Sequence, residues 1–497
     1  MTRTVLISDT FAFALLRARP AKTWEPCWKP YRDRGLITPE YGLLYVAAVL
    51  AEADIPFEVA NLVADVWDDL AWFDISDRQS TDPDAKRELD ALVERMWQEC
   101  AKKVRGADVV MVPMSYYYMV RGVKRILAEL RDLNPSAVFI TGGNYATIHA
   151  DDLAASGLID VVVRGEGEDT ALELMDEIAH GRRPETTGLD SRGITYRRGA
   201  EVTHNPARPR IADLDRLPHL YTAGDRFKIA ERHQMLKALQ PHGDYFIGSS
   251  FLTTRGCPEE CTFCLDPAVW KRRVKFHSPA YVRKVVQFCM DNYQRSGPPN
   301  FYFGDATFAL RKARLHEMLG QIADIGYRYN VQTRADSLDE ETLDLMKRAG
   351  FASVALGAES FNEEILSRVV LKRQSYQRVI DTALLARKKG IKPILTFICG
   401  LPGETKESML ETVRILRAHD LREASFFPLV LFRGTALHEQ WIRDKTPEQI
   451  EAARIDPDSE EFCATSEIFP TIEALTGFAE YLSVLVRQDD PLPPPAL

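Results

Sequence analysis

Cysteine and long apolar runs are both scarce in this 497-residue sequence. Eight cysteines in a chain of this length cannot form the dense disulfide framework of a small secreted domain. The longest apolar stretch, Tyr41 to Ala51, falls short of the ~20 residues that span a bilayer. The opening MTRTVLISDTFAFALLRARP lacks a charged segment followed by an apolar core and a small-residue cleavage site. No signal peptide is therefore expected. Excess basic charge is missing too: 63 Lys and Arg stand against 72 Asp and Glu, a net charge of −9. That leaves no global footprint for nucleic acid or anionic lipid. Together these absences predict a cytoplasmic protein that neither crosses a membrane nor holds nucleic acid by bulk charge. Hydrophobic residues at 45% and charged residues at 27% exclude a disordered or fibrous chain.

What is present is order along the chain. Thr4–Ser8, Phe57–Leu62, Ala107–Met114, Ala137–Thr141 and Asp160–Arg164 are short apolar runs. Segments with helical spacing, such as Tyr41–Asp54 and Val120–Leu133, separate them. Near-continuous apolar strands alternating with helices predict a doubly wound, Rossmann-like α/β domain over 1–180. Basic, proline-containing stretches over 181–245 read as a linker with a small hairpin near Gly193–Thr203. A second βα series follows over 246–437. Its strands are predicted at Phe246–Thr253, Asn300–Phe303, Tyr329–Thr333, Ser353–Leu356, Pro393–Ile398 and Ser425–Leu431. Six βα units at roughly 30–40 residue spacing predict a partial (β/α)6 barrel of the TIM type. Residues 438–497 read as a short helical C-terminal extension with a frayed, proline-rich end.

The cysteines are unevenly placed. Cys257, Cys261 and Cys264 form C-x3-C-x2-C directly after a predicted strand, at the end where barrel sites form. Three thiolates on one loop suit an iron–sulfur cluster or zinc. Structural zinc takes four closed ligands, and the next candidates, His277 and Cys289, do not follow at the usual local spacing. Three ligands leave one metal position open, which a catalytic cluster needs.

This loop resembles the signature of the radical S-adenosylmethionine (SAM) enzymes. Phe263 matches the aromatic residue usual before the last cysteine. Gln332-Thr333-Arg334-Ala335-Asp336, Gly357-Ala358-Glu359-Ser360 and Gly400-Leu401-Pro402-Gly403-Glu404 are similar to that family's turns, in the expected order. The resemblance implies a 4Fe-4S cluster on the three cysteines, with SAM chelating the remaining iron. It assigns Arg334 to the SAM carboxylate, a group its forked donors suit. It also assigns Glu359 to the ribose hydroxyls, and Gly400 with Pro402 to the adenosine. Asp305 sits where the family often has an acid for the SAM amino group, and either replaces that acid or caps a helix. Cys399 is either a proton or hydrogen-atom donor or a buried strand thiol.

In the first domain the strand ends, where doubly wound sheets bind ligands, carry Met114–Met119, Thr141–Asn144 and Arg164–Glu168. With Thr38-Pro39-Glu40-Tyr41-Gly42-Leu43 they resemble the cobalamin-binding domain fused ahead of many radical SAM enzymes. The resemblance implies cobalamin contacts from Tyr41, Gly42, Ser115, Tyr116, Tyr117, Thr141, Gly142, Gly143, Arg164, Gly165 and Glu166. The D-x-H-x-x-G motif that supplies a cobalt ligand elsewhere is absent, and His149 reads as a surface residue. Tyr117 is then expected to cover the lower face of the cobalt, as a candidate catalytic residue. A Rossmann dinucleotide site is discounted, because Ser8-Asp9-Thr10-Phe11-Ala12 contains no glycine.

The whole pattern is similar to a class B, cobalamin-dependent radical SAM methyltransferase. Such an enzyme methylates an unactivated carbon through a 5′-deoxyadenosyl radical and methylcobalamin, with an external reductant of the flavodoxin or ferredoxin kind. Two alternatives stay open: rearrangement, cyclisation or oxidation without methyl transfer, and a cobalamin or redox sensor. The acidic balance and the short tail favour a small-molecule substrate over RNA.

Overall fold

The computed structural model divides into two units, Met1–Gln240 with Asp456–Glu460, and Pro241–Ile455 with Glu461–Leu497. It describes residues 2–9, 13, 40–66, 83–115, 120–232, 249–293, 300–452, 462–463, 466 and 468–489. Among the described residues no helix is long and apolar enough to cross a membrane.

The first unit is built on strands β1 (Thr4–Ser8), β2 (Phe57–Asn61), β3 (Val109–Pro113), β4 (Val138–Gly142), β5 (Val161–Val163), β6 (Ile194–Arg198) and β7 (Glu201–His204). Every residue of β1, β3 and β5 is buried, because helices cover both faces of the sheet. The strand order is β2-β1-β3-β4-β5-β6-β7, and the first five strands are parallel. The order reverses between β1 and β3. That is the switch point where such sheets open a crevice at their carboxyl ends.

The stretch expected to be a linker is not one where it is described. The β6–β7 hairpin pairs antiparallel with β5 and extends the sheet. Further on, Arg232 is fully buried and forms an ion pair with Asp9, just beyond β1, at 2.9 Å. Its guanidinium also donates to Asn61 Oδ1 at 3.2 Å and to the Phe227 carbonyl at 2.7 Å. Asp9, at φ +67, accepts from the backbone amides of Val63 (3.3 Å) and Ala64 (3.2 Å). A buried ion pair persists when its remaining hydrogen-bonding capacity is filled, and this one is filled from three segments.

In the second unit β8 (Ser249–Phe251) starts the main sheet. A short antiparallel ribbon, β9 (Thr254–Arg255) and β10 (Lys275–Phe276), stands beside it. The sheet continues with β11 (Asn300–Phe303), β12 (Arg328–Thr333), β13 (Phe351–Glu359), β14 (Lys392–Cys399) and β15 (Ala424–Pro428). The order β15-β14-β13-β12-β11-β8 is parallel throughout, so the strands lie side by side in chain order with β8 and β15 at the edges. This is the partial six-stranded barrel. Along β14, Pro393, Leu395, Phe397 and Cys399 are buried while Lys392, Ile394, Thr396 and Ile398 are half-buried. One face thus packs under helices and the other is more open.

Asp339, Ser375 and Thr405 cap the helices that follow β12, β13 and β14, each accepting from a backbone amide. Between β13 and the helix that Ser375 caps lies a π-helical turn, Ile365–Val369. The C-terminal helix Ile472–Leu485 is firmly packed, with Leu475 and Leu482 fully buried. Ser483 Oγ accepts from Phe426 N at 2.9 Å, so this helix covers the edge strand β15.

Glu40 precedes the helix Tyr41–Glu52 and is only 7% exposed, and its Oε2 has no hydrogen-bond partner. Burial raises its carboxyl from 4.5 to about 7; Asp9 adds to the rise and Arg232 opposes it. The folded chain therefore holds a proton there that the unfolded chain releases, so stability falls as pH rises from about 4.5 to about 7. Glu40→Gln is expected to raise the thermal midpoint at pH ~8 and to change little at pH ~4. Thermal melts at both values check this. An equal effect at both would contradict it.

Candidate cofactor sites

The cysteine loop is entered through Gly256 at φ +95. A Cβ there would lie 2.3 Å from the Arg273 carbonyl oxygen and 3.1 Å from Trp270 Cβ, so only glycine makes this turn. Cys257 is buried, with its sulfur 3.6 Å from Thr307 Oγ1; Cys261 and Cys264 are half-buried. Cys264 N donates to Cys261 O at 3.1 Å. Thr262 fastens the loop: its amide donates to Val370 O (3.1 Å), its hydroxyl to Val369 O (2.6 Å), and its carbonyl accepts from Leu437 N (2.9 Å). Phe263 packs against a buried cluster that includes Ile365, Val370, Leu401 and Leu437. Burial pushes all three thiols up, Cys261 to about 11, so a metal bound to the loop would displace their protons.

Arg334, just after β12, is 7% exposed. Its Nε and Nη2 already fork onto Asp336 at 2.9 and 2.6 Å. Its Nη1 lies 3.3 Å from Glu259 of the cysteine loop and makes no hydrogen bond. Asp305 is fully buried and caps no helix, since Arg311 stands at the cap of the next one. Its Oδ1 accepts from the hydroxyls of Thr254 (2.6 Å) and Thr253 (3.2 Å), directly ahead of the loop. Its Oδ2 has no partner, and burial pushes the carboxyl up to about 6.

Glu359 ends β13 at φ +63. Its Oε1 accepts from Lys372 Nζ at 2.7 Å, and that ammonium also donates to the Gly357 carbonyl at 2.7 Å. A Cβ on Gly357 would lie 2.6 Å from Glu359 Oε1 and 2.7 Å from Lys372 Nζ, so the glycine makes room for the ion pair. Gln374 Nε2 donates to the same carbonyl at 2.7 Å, and its Oε1 is buried without a partner. Lys372, Glu359 and Arg334 all act electrostatically on Cys261. Lys372 and Gln374 belong to no motif; Gly357, two residues before the acid, was the only signal that a bulky partner had to fit.

The last two turns are tied together. Ser360 Oγ donates to Glu404 Oε1 at 2.8 Å, and Glu404 Oε2 accepts from the amides of Gly400 and Leu401, both at 3.1 Å. Burial pushes the Glu404 carboxyl up to about 7. Gly400 has φ +87, and a Cβ there would lie 2.9 Å from Leu475 Cδ1 of the C-terminal helix. The space a side chain would take there is filled by Leu475. Pro402 is exposed in the turn. Cys399 is fully buried on the covered face of β14, and burial holds its thiol well above its ordinary value. That corrects the donor reading in favour of the buried strand thiol.

In the first unit, Gly143 has φ +119, and a Cβ would lie 2.6 Å from Ser115 Oγ and 2.7 Å from Met114 O. The glycine is needed where the ends of β3 and β4 converge. Gly142 is in the same ladder, its carbonyl accepting from Met114 N at 2.8 Å. Thr141 is buried and donates its hydroxyl to Val112 O at 2.7 Å. Arg164 donates to Ile194 O (3.0 Å) and Asn205 O (2.6 Å), and Glu166 accepts from Ile211 N (2.7 Å). Thr141, Arg164 and Glu166 thus hold the sheet and its hairpin together. Gly42 and Gly165 differ: a Cβ at either would meet nothing within 4 Å. Tyr41, beside Gly42, is half-buried. His149 is 6% exposed and packs against Tyr145, so it is not a surface residue. Tyr116 and Tyr117 lie outside the described residues.

Residues 251–416 match the model of the Radical SAM superfamily, and residues 32–175 that of the B12 binding domain. An uncharacterised methyltransferase of Pyrococcus horikoshii is 28% identical over 359 residues, covering 71% of this chain and 73% of that protein. The anaerobic magnesium-protoporphyrin IX monomethyl ester cyclase of Rubrivivax gelatinosus is 27% identical, covering 59% of this chain and 51% of the cyclase. The solved structure of the radical SAM methyltransferase TsrM from Kitasatospora setae, with cobalamin and a [4Fe-4S] cluster bound, shares the fold. Its TM-score is 0.63 at 19% identity, covering 92% of this chain and 80% of that one.

The three-thiol loop thus lies within the stretch that matches the Radical SAM superfamily, and the ends of β3, β4 and β5 lie within the stretch that matches the B12 binding domain. The cofactors of this chain are accordingly a 4Fe-4S cluster, SAM and cobalamin. The residues present fit them. Asp305 Oδ2, Arg334 Nη1 and Gln374 Oε1 are buried, unpartnered polar atoms around the cysteine loop, suited to a ligand with both amino and carboxylate groups. Gly42 and Gly165 leave backbone open to a large ligand in the first unit.

Gly256→Ala is expected to lower iron retained after anaerobic reconstitution by about half or more, because the loop must shift to admit a Cβ. Gly42→Ala should leave iron unchanged. Iron assays and the visible spectrum check both. Full iron in Gly256→Ala would contradict the account of the loop.

Proposed function

We propose that this chain transfers a methyl group from SAM to an unactivated carbon of a small molecule. The observation that carries the reading is the three-thiol loop with buried polar atoms of Asp305 and Gln374 left without hydrogen bonds beside it, in a chain whose residues 32–175 match the B12 binding domain. Cys257, Cys261 and Cys264 hold three irons and leave one open for SAM. Arg334 Nη1 and Asp305 Oδ2 receive its carboxylate and amino groups. Glu359, held in place by Lys372, faces the ribose. When bound, the cluster with SAM supplies hydrogen-atom abstraction, and cobalamin carries the methyl group; the chain supplies position and exclusion of water.

The more open face of the barrel sheet supports a polar small molecule. Tyr302 Oη donates to Gln332 Oε1 at 3.3 Å, and Ser353 Oγ to Asn330 Oδ1 at 2.7 Å, giving hydrogen-bonding groups along three neighbouring strands. The likeness to a magnesium-protoporphyrin cyclase supports a second reading, ring closure without methyl transfer.

Anaerobic incubation with methyl-labelled SAM, a reductant and a small-molecule extract of the native cell separates the two. Methyl transfer predicts label in a new product together with 5′-deoxyadenosine. Product and 5′-deoxyadenosine without label would favour ring closure. Absence of 5′-deoxyadenosine would favour a sensor and overturn both enzyme readings.

A further inference from the structure

The C-terminal helix, Ile472–Leu485, has two unlike faces. Leu475, Ala479 and Leu482 are buried, Leu475 against the turn at Gly400. The opposite face carries Ala474, Gly477, Tyr481 and Val484, all exposed. Tyr481 is 43% and Val484 49% exposed, two of the three large apolar side chains exposed among the described residues. Half-buried Phe478 borders them, its ring centre 6.0 Å from that of Tyr481 and 5.4 Å from that of Phe469. The intervals along the face, three, four and three residues, are those of a coiled-coil seam.

Nothing in its own chain requires Gly477 to be glycine. It lies inside the helix, and a Cβ added there would meet nothing within 4 Å. Glycine weakens a helix interior relative to alanine, and its use is to let another backbone or side chain come close. The seam also alternates in size, small at Ala474 and Gly477 and large at Tyr481 and Val484. Laid antiparallel on a second copy, the helix sets Tyr481 over Gly477 of that copy and Val484 over its Ala474, so large meets small throughout. Parallel pairing would set large on large. The flanking charges favour the same register. Glu473, in the first turn, and Arg487, just beyond the last, are both exposed. Arg487 Nη2 holds the Ala424 carbonyl at 3.2 Å and Ser425 Oγ at 3.4 Å. Antiparallel pairing brings Glu473 of each copy to Arg487 of the other. These two opposite-charge contacts outnumber the one like-charge contact, Glu480 against Glu480 of the second copy.

We propose that this face pairs antiparallel with the same face of a second copy of the chain, forming a two-fold symmetric dimer. A self-complementary contact of this kind closes on itself and stops at two chains. The seam runs for about three helical turns. That is small against the ~800 Å² per partner of a standard interface. The dimer is therefore reversible, and one and two chains exchange over the micromolar range.

The test is analytical ultracentrifugation of the reconstituted full-length enzyme from about 1 to about 100 μM, with thermal melts of each variant beside it. The parent is expected to pass from monomer to dimer across that range. Gly477→Leu is expected to weaken the dimer about tenfold or more, because the bare position no longer admits Tyr481. The same variant should keep or raise the thermal midpoint, since leucine suits a helix better and meets nothing in its own chain. Glu473→Arg should weaken the dimer by a smaller factor, and adding Arg487→Glu should restore it. A parent that stays monomeric at every concentration would overturn the proposal. A dimer that Gly477→Leu leaves unchanged would overturn it by placing the contact elsewhere. Loss of the dimer with a lowered thermal midpoint in Gly477→Leu would also overturn it, by assigning the glycine to the helix's own packing. Failure of the double charge reversal to restore the dimer would contradict the antiparallel register.

Discussion

Eight residues must bring three sulfurs to one metal cluster, and no helix or strand runs through them from Cys257 to Cys264. The loop is pinned from outside. Gly256 turns against the Arg273 carbonyl, Thr262 is bonded to Val369, Val370 and Leu437, and Arg272 closes over Pro258 and Glu260. The π-helical turn Ile365–Val369 has a reason in this scheme. Carbonyls at a helix end have no partner within the helix, and here those of Val369 and Val370 take the hydroxyl and amide of Thr262. Elements far apart in sequence thus share one task.

Buried charge is organised by the same economy in both units. Asp9 with Arg232 and Glu359 with Lys372 are each desolvated pairs whose partners come from outside the local element or its turn. Removing one partner of such a pair generally costs about 3–5 kcal/mol, because the other charge is left buried and alone. Beside the loop, Asp305 Oδ2 and Gln374 Oε1 are buried without a hydrogen bond, and Arg334 Nη1 has only the ion pair with Glu259. They are the physical mark of a ligand site.

Much of this was legible in the sequence, for reasons that can be named. Runs such as Ala107–Met114 read as strands because helices bury both faces, and β3 occupies Val109–Pro113. The cysteine spacing and the turns ending in Glu359-Ser360 and Gly400–Glu404 were visible because local geometry demands those residues. What escaped depends on distant partners. Arg164 and Glu166 look like ligand residues until the hairpin they anchor is placed beside β5. Gly400 looks like a nucleotide-binding glycine until Leu475, far along the chain, fills its space. Lys372 carries no motif, and only the pairing with Glu359 shows its place. The hairpin and the helical tail were both expected, but that one extends the sheet and the other covers an edge strand leaves no periodic trace.

The central claim is that one chain holds an iron–sulfur cluster in its second unit and cobalamin in its first. Iron, sulfide and cobalt measured on anaerobically purified and reconstituted protein test it most directly. The account predicts about four irons and about one cobalt per chain, with the iron alone lost when Cys257, Cys261 and Cys264 are replaced by alanine. Four irons without cobalt would contradict the two-cofactor account, and full iron in the triple-alanine variant would contradict the cluster site itself.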